Sequence, residues 1–140
     1  MSRKLTIEEA LESQGFYMST TVGVSMFPLL RNRRDTILIR PVTEPLKKYD
    51  VPLYKRGNNY VLHRKITQGG YVICGDNCLQ KEYDVTDQQI IGVLSGIQRG
   101  EKKIDMDGVG YKLYCRLWVF LYPLRYILKW VATKLKKGIK

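Results

Sequence analysis

The chain is poor in side chains that bind metals. It holds one histidine, His63, and three cysteines, Cys74, Cys78 and Cys115. Cys74 and Cys78 form a Cys-x-x-x-Cys pair, but a single histidine and no second pair argue against a structural zinc site. The odd cysteine count, with no export signal, points to reduced thiols and a cytoplasmic setting. No phosphate-binding loop or dinucleotide fingerprint is present, so neither a metal nor a cofactor is expected. Long apolar runs are missing too. Past Gly110 the longest uncharged stretch, Leu117 to Leu124, falls far short of the roughly 20 residues a membrane-spanning helix needs. Ser13 to Leu30 carries no charge, yet Gln14, Ser19, Thr20, Thr21, two glycines and Pro28 would make it insert poorly. Behind Met1-Ser2-Arg3-Lys4, Glu8 and Glu9 stand where a signal peptide needs its apolar core. Neither a signal peptide nor a transmembrane anchor is evident, and repeats and low-complexity linkers are absent.

Acidic residues are scarce. Against 13 Asp and Glu stand 24 Lys and Arg, a formal net charge of +11 over 140 residues. Ten of the basic residues follow position 100, so the excess is partly a property of the tail. No zinc finger, RNA-recognition signature or helix-turn-helix pattern accompanies it, and nucleic acid is not the expected partner. The 44% hydrophobic content is enough for a folded core, and ten tyrosines with runs of Val and Ile lean towards β structure.

Thr6 to Gln14 reads as a short helix, with Thr6 as N-cap, Glu9 completing a capping box and Gly15 closing it. Phe16 to Val24 is extended, and Pro28 keeps Phe27 out of a helix, so Ser25 belongs at a strand-to-turn corner. Strands are expected at Asp35–Arg40, at Val51–Arg56 (an edge, because of Pro52), at Tyr60–Ile66, Tyr71–Cys74 and Gln89–Gln98. A last short one lies between Gly100 and Asp107-Gly108. Gly57-Asn58-Asn59 is a hairpin turn. The expected fold is mainly β, a small antiparallel barrel-like sheet over residues 1–108. A basic, aromatic-rich C-terminal segment, residues 109–140, follows it. Within it Leu124 to Ile139 fits an amphipathic helix. Leu124, Ile127, Leu128, Val131 and Leu135 lie on one side, and Arg125, Lys129, Lys136 and Lys137 on the other. Two readings stay open. Residues 124–140 lie on an anionic membrane surface, with Trp118, Phe120, Tyr122, Tyr126 and Trp130 as interface aromatics, or the apolar stripe packs on the barrel and the lysines are solvated.

Three short motifs carry the chemistry. Ser25 precedes Met26-Phe27-Pro28, and His63 stands in Val61-Leu62-His63-Arg64. Asp76 sits in the turn Gly75-Asp76-Asn77. A neutral imidazole is well suited to take a hydroxyl proton near pH 7, and a carboxylate on its second nitrogen would fix its tautomer. Taken singly, each has a plain structural explanation: a turn serine, a strand histidine, an Asx-turn. Lys65, two residues beyond His63 and so on the same strand face, is the alternative base. Glu82 and Asp84 are the nearby acids.

Ser-Met-x-Pro, His-Arg and Gly-Asp-Asn, in this order from about Val22 to Ile97, resemble the type I signal peptidases, and the His-Arg pair resembles their Ser-His-Asp endoplasmic-reticulum branch. The resemblance implies a serine endopeptidase acting on an extended peptide or leader segment after small residues. Ser25 would be its nucleophile, His63 its base and then acid, and Asp76 would orient His63. It also implies a second acid beyond the Gly-Asp-Asn box, at Glu82 or Asp84. The family usually carries a serine hydroxyl as oxyanion donor two residues before the nucleophile; this chain has Gly23 there, which leaves the Ser25 N–H and costs about 10²-fold by analogy with losing one donor. The alternative is a non-catalytic or self-cleaving protein of the same fold, acting as a basic membrane-surface or nucleic-acid-associated binding module. Localisation is expected to be cytoplasmic, or peripheral at a membrane.

Overall fold

A computed structural model describes residues 6–21, 25–26, 28–78 and 80–138. The chain opens with α1 (Ile7–Gln14). The Thr6 side chain accepts from the Glu9 N–H at 3.1 Å, and Gly15, at φ 80°, closes the helix with its N–H on Leu11 O. Buried Ala10 and Leu11 hold α1 to the sheet. Eight strands follow: β1 (Tyr17–Thr20), β2 (Asp35–Arg40), β3 (Pro52–Arg56), β4 (Asn59–Leu62), β5 (Arg64–Lys65), β6 (Ile73–Cys74), β7 (Ile90–Arg99) and β8 (Lys102–Ile104). Two helices, α2 (Val109–Phe120) and α3 (Tyr122–Gly138), end the described chain.

The strands form an antiparallel half-barrel in the order β1-β2-β7-β3-β4, with β8 folding back on the far end of β7. β5 and β6 make a separate two-stranded sheet. The long β7 is the spine, and its register slips once against β2, between Leu38 and Ile39, and once against β3, between Leu53 and Tyr54. Each irregularity adds local twist and lets the sheet curl. Leu11, Met26, Leu29, Ile39, Leu53 and Ile97 fill the concave side.

Pro52 does not mark an edge. It is the first residue of β3, an interior strand between β7 and β4, and a first position tolerates the missing N–H. Among the described residues β1 and β4 end the main strand order, and β8 pairs with β7 alone. The expected strand Tyr60–Ile66 is interrupted, with His63 in the gap between β4 and β5. Pro123 lies in the first turn of α3, where proline fits a helix.

The C-terminal helix does not pack as a stripe of leucines on the barrel. Leu124, Ile127, Leu128, Val131 and Leu135 are exposed, whereas Arg125 and Lys129 reach the body of the protein. Lys136 is exposed, and the side chain of Lys137 lies outside the described residues.

The segment bearing Ser25 is pinned at its base. Thr21 N–H donates to Asp35 O at 2.9 Å, and the Thr21 hydroxyl donates to Arg31 O at 2.6 Å. Burial alone would raise the Asp35 carboxyl, but hydrogen bonds from Arg99 and the Arg31 N–H, and the positive charge of both residues, hold it below its ordinary range. Gly92 marks the tightest point of the curl: a Cβ there would lie 2.7 Å from Ile39 Cγ2 and 2.8 Å from Arg40 O. The Arg40 oxygen is backbone and cannot swing aside. Gly92→Ala is expected to lower the unfolding free energy by about 1–3 kcal/mol in denaturant titration.

Candidate active site

Ser25, His63 and the Gly75-Asp76-Asn77 turn come together around one glycine. A Cβ on Gly75 would lie 2.6 Å from Ser25 O, 2.7 Å from Cys78 Sγ and 3.0 Å from His63 Cδ2. Only hydrogen fits, so Gly75 sets how closely serine and imidazole approach. The Asn77 N–H donates to Ser25 O at 2.8 Å, and the Asp76 N–H contacts Met26 Sδ at 3.3 Å. Met26 is buried in the core, so the Ser-Met motif anchors from beneath the turn that the Gly-Asp-Asn motif makes above it. Ser25 itself is exposed, and among the described residues its hydroxyl has no hydrogen-bond partner. Gly23, the position of the missing hydroxyl donor, lies outside the described residues, as do Val22, Val24 and Phe27.

The His63 side chain is 14% exposed and has two distinct edges. The Cδ2 edge, which leads to Nε2, faces Gly75, and Ser25 and His63 line one cleft. Nδ1 faces Tyr54 Oη at 3.4 Å and Glu82 Oε2 at 3.9 Å. Tyr54 is fully buried, and its hydroxyl donates to Glu82 Oε2. Burial and the Glu82 carboxylate push the phenol well above its ordinary pKa, so it keeps its proton. That single proton is spent on Glu82, which leaves the Tyr54 oxygen to accept from Nδ1–H. Nε2 then carries the lone pair on the serine side, as a general base requires. Burial lowers the His63 pKa from 6.5; the Glu82 and Asp76 charges oppose this without reversing it. The ring is therefore neutral at pH 7.

Glu82 is held at both ends. Its backbone bridges Ile73, with N–H to O distances of 3.0 and 2.7 Å, and its carboxylate lies 3.8 Å from Arg56. Asp84, its competitor, is solvent-exposed and occupied by Arg56 at 2.8 Å, away from His63.

Asp76, expected to hold the imidazole, holds Arg64 instead. Arg64 Nε donates to Asp76 Oδ1 at 2.8 Å and Nη2 to Oδ2 at 2.9 Å, while the Tyr114 hydroxyl donates to Oδ2 at 2.6 Å. With both oxygens taken, Asp76 reaches His63 through its charge alone. Lys65 is likewise absent from the cleft. The strand break at His63 spoils the alternation that would place both on one face, and Lys65 Nζ, buried, donates to the carbonyls of Thr67 and Gln68, the latter at 2.9 Å. Burial lowers its pKa.

Tyr54 is the residue that reading the motifs misses. The signal was present in the hairpin: the two-residue turn Gly57-Asn58 pairs Tyr54 with Val61, which makes His63 its diagonal neighbour on the same face. Cys78 is the other. Its sulfur sits against Ser25 O at 3.8 Å, but burial raises its pKa, which keeps it a thiol rather than a competing nucleophile. Among the described residues no group of three His, Cys, Asp or Glu side chains converges as a metal site.

A cleft of about 450 Å³ opens beside the pair, lined by Ser25 and His63, by Ser19 and Thr20 of edge strand β1, and by Tyr60 and Val61 of edge strand β4. Its floor is apolar, with Ile37, Ile39, Leu53 and Leu62. No protein-family model matches this chain, and no curated protein sequence matches it. Because Asp76 serves Arg64, Asp76→Ala leaves a buried guanidinium unpaired. It is expected to cost about 3–5 kcal/mol of stability, measured by denaturant unfolding.

Proposed function

We propose that the protein is a serine endopeptidase similar to the type I signal peptidases, with Ser25 as nucleophile and His63 as general base. The observation that carries this reading is the two-sided environment of His63. Tyr54 and Glu82 stand on Nδ1, and the opposite edge lies against Gly75 in a cleft that Ser25 also lines, between strands β1 and β4.

In the proposed reaction, Ser25 Oγ attacks the scissile carbonyl as Nε2 takes its proton. Glu82 steadies the imidazolium through Tyr54 and across the short gap to Nδ1. The tetrahedral intermediate collapses when His63 gives that proton to the leaving amine. Water, deprotonated by the same nitrogen, then hydrolyses the acyl-enzyme ester. The Ser25 N–H remains the backbone donor to the oxyanion. An extended substrate can pair with the unpaired backbone of β1 or β4, which fits a peptide laid into the cleft as a strand. The open Ser25–His63 geometry, with no hydrogen bond between the two, is common in substrate-free sites. It equally suits a binding module that has kept the cleft without turnover, and turnover separates the two readings.

A serine-reactive phosphonate probe should label the purified protein, and peptides with small residues before the cleaved bond should be hydrolysed. Ser25→Ala should abolish labelling and lower cleavage by at least about 10³-fold. Labelling or cleavage that survives Ser25→Ala would overturn the assignment, and absence of both in the unmodified chain would favour the binding module. Because His63 must be neutral and its pKa is lowered, kcat/KM should hold on the alkaline side and fall only below pH 6.5. Glu82→Gln removes the charge that raises the His63 pKa. It should move the acid limb to still lower pH and cut kcat by roughly 10²- to 10⁴-fold with the fold intact.

A further inference from the structure

The two C-terminal helices have opposite faces that do different things. The inner face is attached to the turn behind the candidate site. Trp118 Nε1 donates to Asp76 O at 2.8 Å, Arg125 donates to the same oxygen at 2.7 Å, and Lys129 Nζ donates to Asn77 O at 2.8 Å. The outer face is exposed. Leu113, Leu117, Phe120, Leu124, Val131 and Leu135 recur every third, fourth or seventh position and are all exposed, Phe120 at 79%. The stripe crosses from α2 to α3 without a break, because Arg125 N–H still reaches Leu121 O at 2.9 Å across the junction. It continues sideways into a groove of about 1240 Å³ between α2 and the loop bearing Leu46, Lys47 and Lys48.

We propose that this outer face is a docking surface for an anionic lipid bilayer, with α2 and α3 lying in the interface plane. Charge decides the occupant. From Gly108 to Lys140 there are eight Lys and Arg and no Asp or Glu; two of the eight, Arg125 and Lys129, belong to the inner face. Lys112, Arg116 and Lys134 are exposed along the flank of the stripe, and Lys47 and Lys48, with a single acid, Glu44, line the groove beside it. A second copy of the chain would bring the same positive charges against these, whereas anionic headgroups complement them. Exposed Trp130, on the flank beside Lys134, is an aromatic that favours the headgroup level. Among the described residues no helix is long and apolar enough to cross a membrane, which leaves the in-plane arrangement. The inference does not depend on the peptidase reading. Because the inner face is tied to Asp76 and Asn77, docking would set the orientation of the cleft relative to the bilayer.

The test uses the full chain with vesicles of phosphatidylcholine alone and of phosphatidylcholine mixed with phosphatidylserine. The protein should sediment with the mixed vesicles and bind pure phosphatidylcholine at least about tenfold more weakly. Binding should decline with salt as the Debye length shortens. Trp130 emission should shift to the blue on binding, and Trp130→Phe should lose that shift. The double substitution Phe120→Asp and Leu124→Asp, both at exposed positions, should cut binding by at least about tenfold with an unchanged circular-dichroism spectrum. Should that variant fail to fold, quenching of Trp130 by bromine-labelled lipid in the unsubstituted chain supports the proposal, and binding without quenching overturns it. No sedimentation with anionic vesicles overturns it. So does binding indifferent to the double substitution, and so does a lipid-free dimer that the substitution disperses.

Discussion

The buried pair Arg64–Asp76 is the constraint on which the site depends. Taking two charges out of water is costly, and their attraction offsets that cost only when the geometry is good and every other hydrogen-bonding group is served. Both conditions are met. Every guanidinium nitrogen has an acceptor: Nε and Nη2 donate to the two Asp76 oxygens, and Nη1 meets Tyr49 O, the Tyr111 hydroxyl and Cys115 Sγ. The rings of Tyr111 and Tyr114 flank the cation at 5.8 and 5.7 Å. Burial works against the charged guanidinium, but the Asp76 carboxylate more than compensates and raises its pKa further. One side chain thus ties the strand next to His63 to the Gly-Asp-Asn turn, to the loop before β3 and to α2.

The two carboxylates near His63 divide their work according to what surrounds them. Asp76 is a framework group that determines where the turn, and hence Gly75, stands against Ser25. Glu82 is partly open to solvent, next to Tyr54 and Nδ1, and its charge has the larger effect on the imidazole. Tyr54 between them acts as a proton-filled spacer whose oxygen selects the tautomer. In the proposed peptidase this division lets the serine side of the ring stay basic while the far side is stabilised on protonation.

Much of the architecture was legible in the residues. Ile37 and Ile39 alternating in β2, the apolar run of β7, the Gly57-Asn58 turn and the Thr6 and Gly15 caps each act over a few neighbours, and the elements form where those local signals put them. Ser25, His63 and the Gly75 turn were legible for the same reason, as motifs. What escaped depended on contacts between distant segments. Asp76 went to Arg64 because a bidentate, buried guanidinium outbids an imidazole for a carboxylate, and no spacing along the chain reveals that. Lys65 fell away because the strand breaks one residue early. Pro52 suggested an edge, but a first strand position removes the penalty that the rule assumes. The outward-facing apolar stripe of α3 was visible as a pattern, whereas the face it shows to the protein was decided by Arg125 and Lys129 finding carbonyls on the Gly-Asp-Asn turn.

His63 is the only histidine in the chain, so its imidazole gives a single, unambiguous set of nitrogen signals. A pH titration followed by nitrogen-15 NMR reads its tautomer and its pKa together. The Tyr54–Glu82 arrangement predicts the Nδ1–H form, with a bare Nε2 and a midpoint below 6.5. A proton resident on Nε2 at neutral pH, or a midpoint above 6.5, would contradict the account of His63 as a base held ready for Ser25.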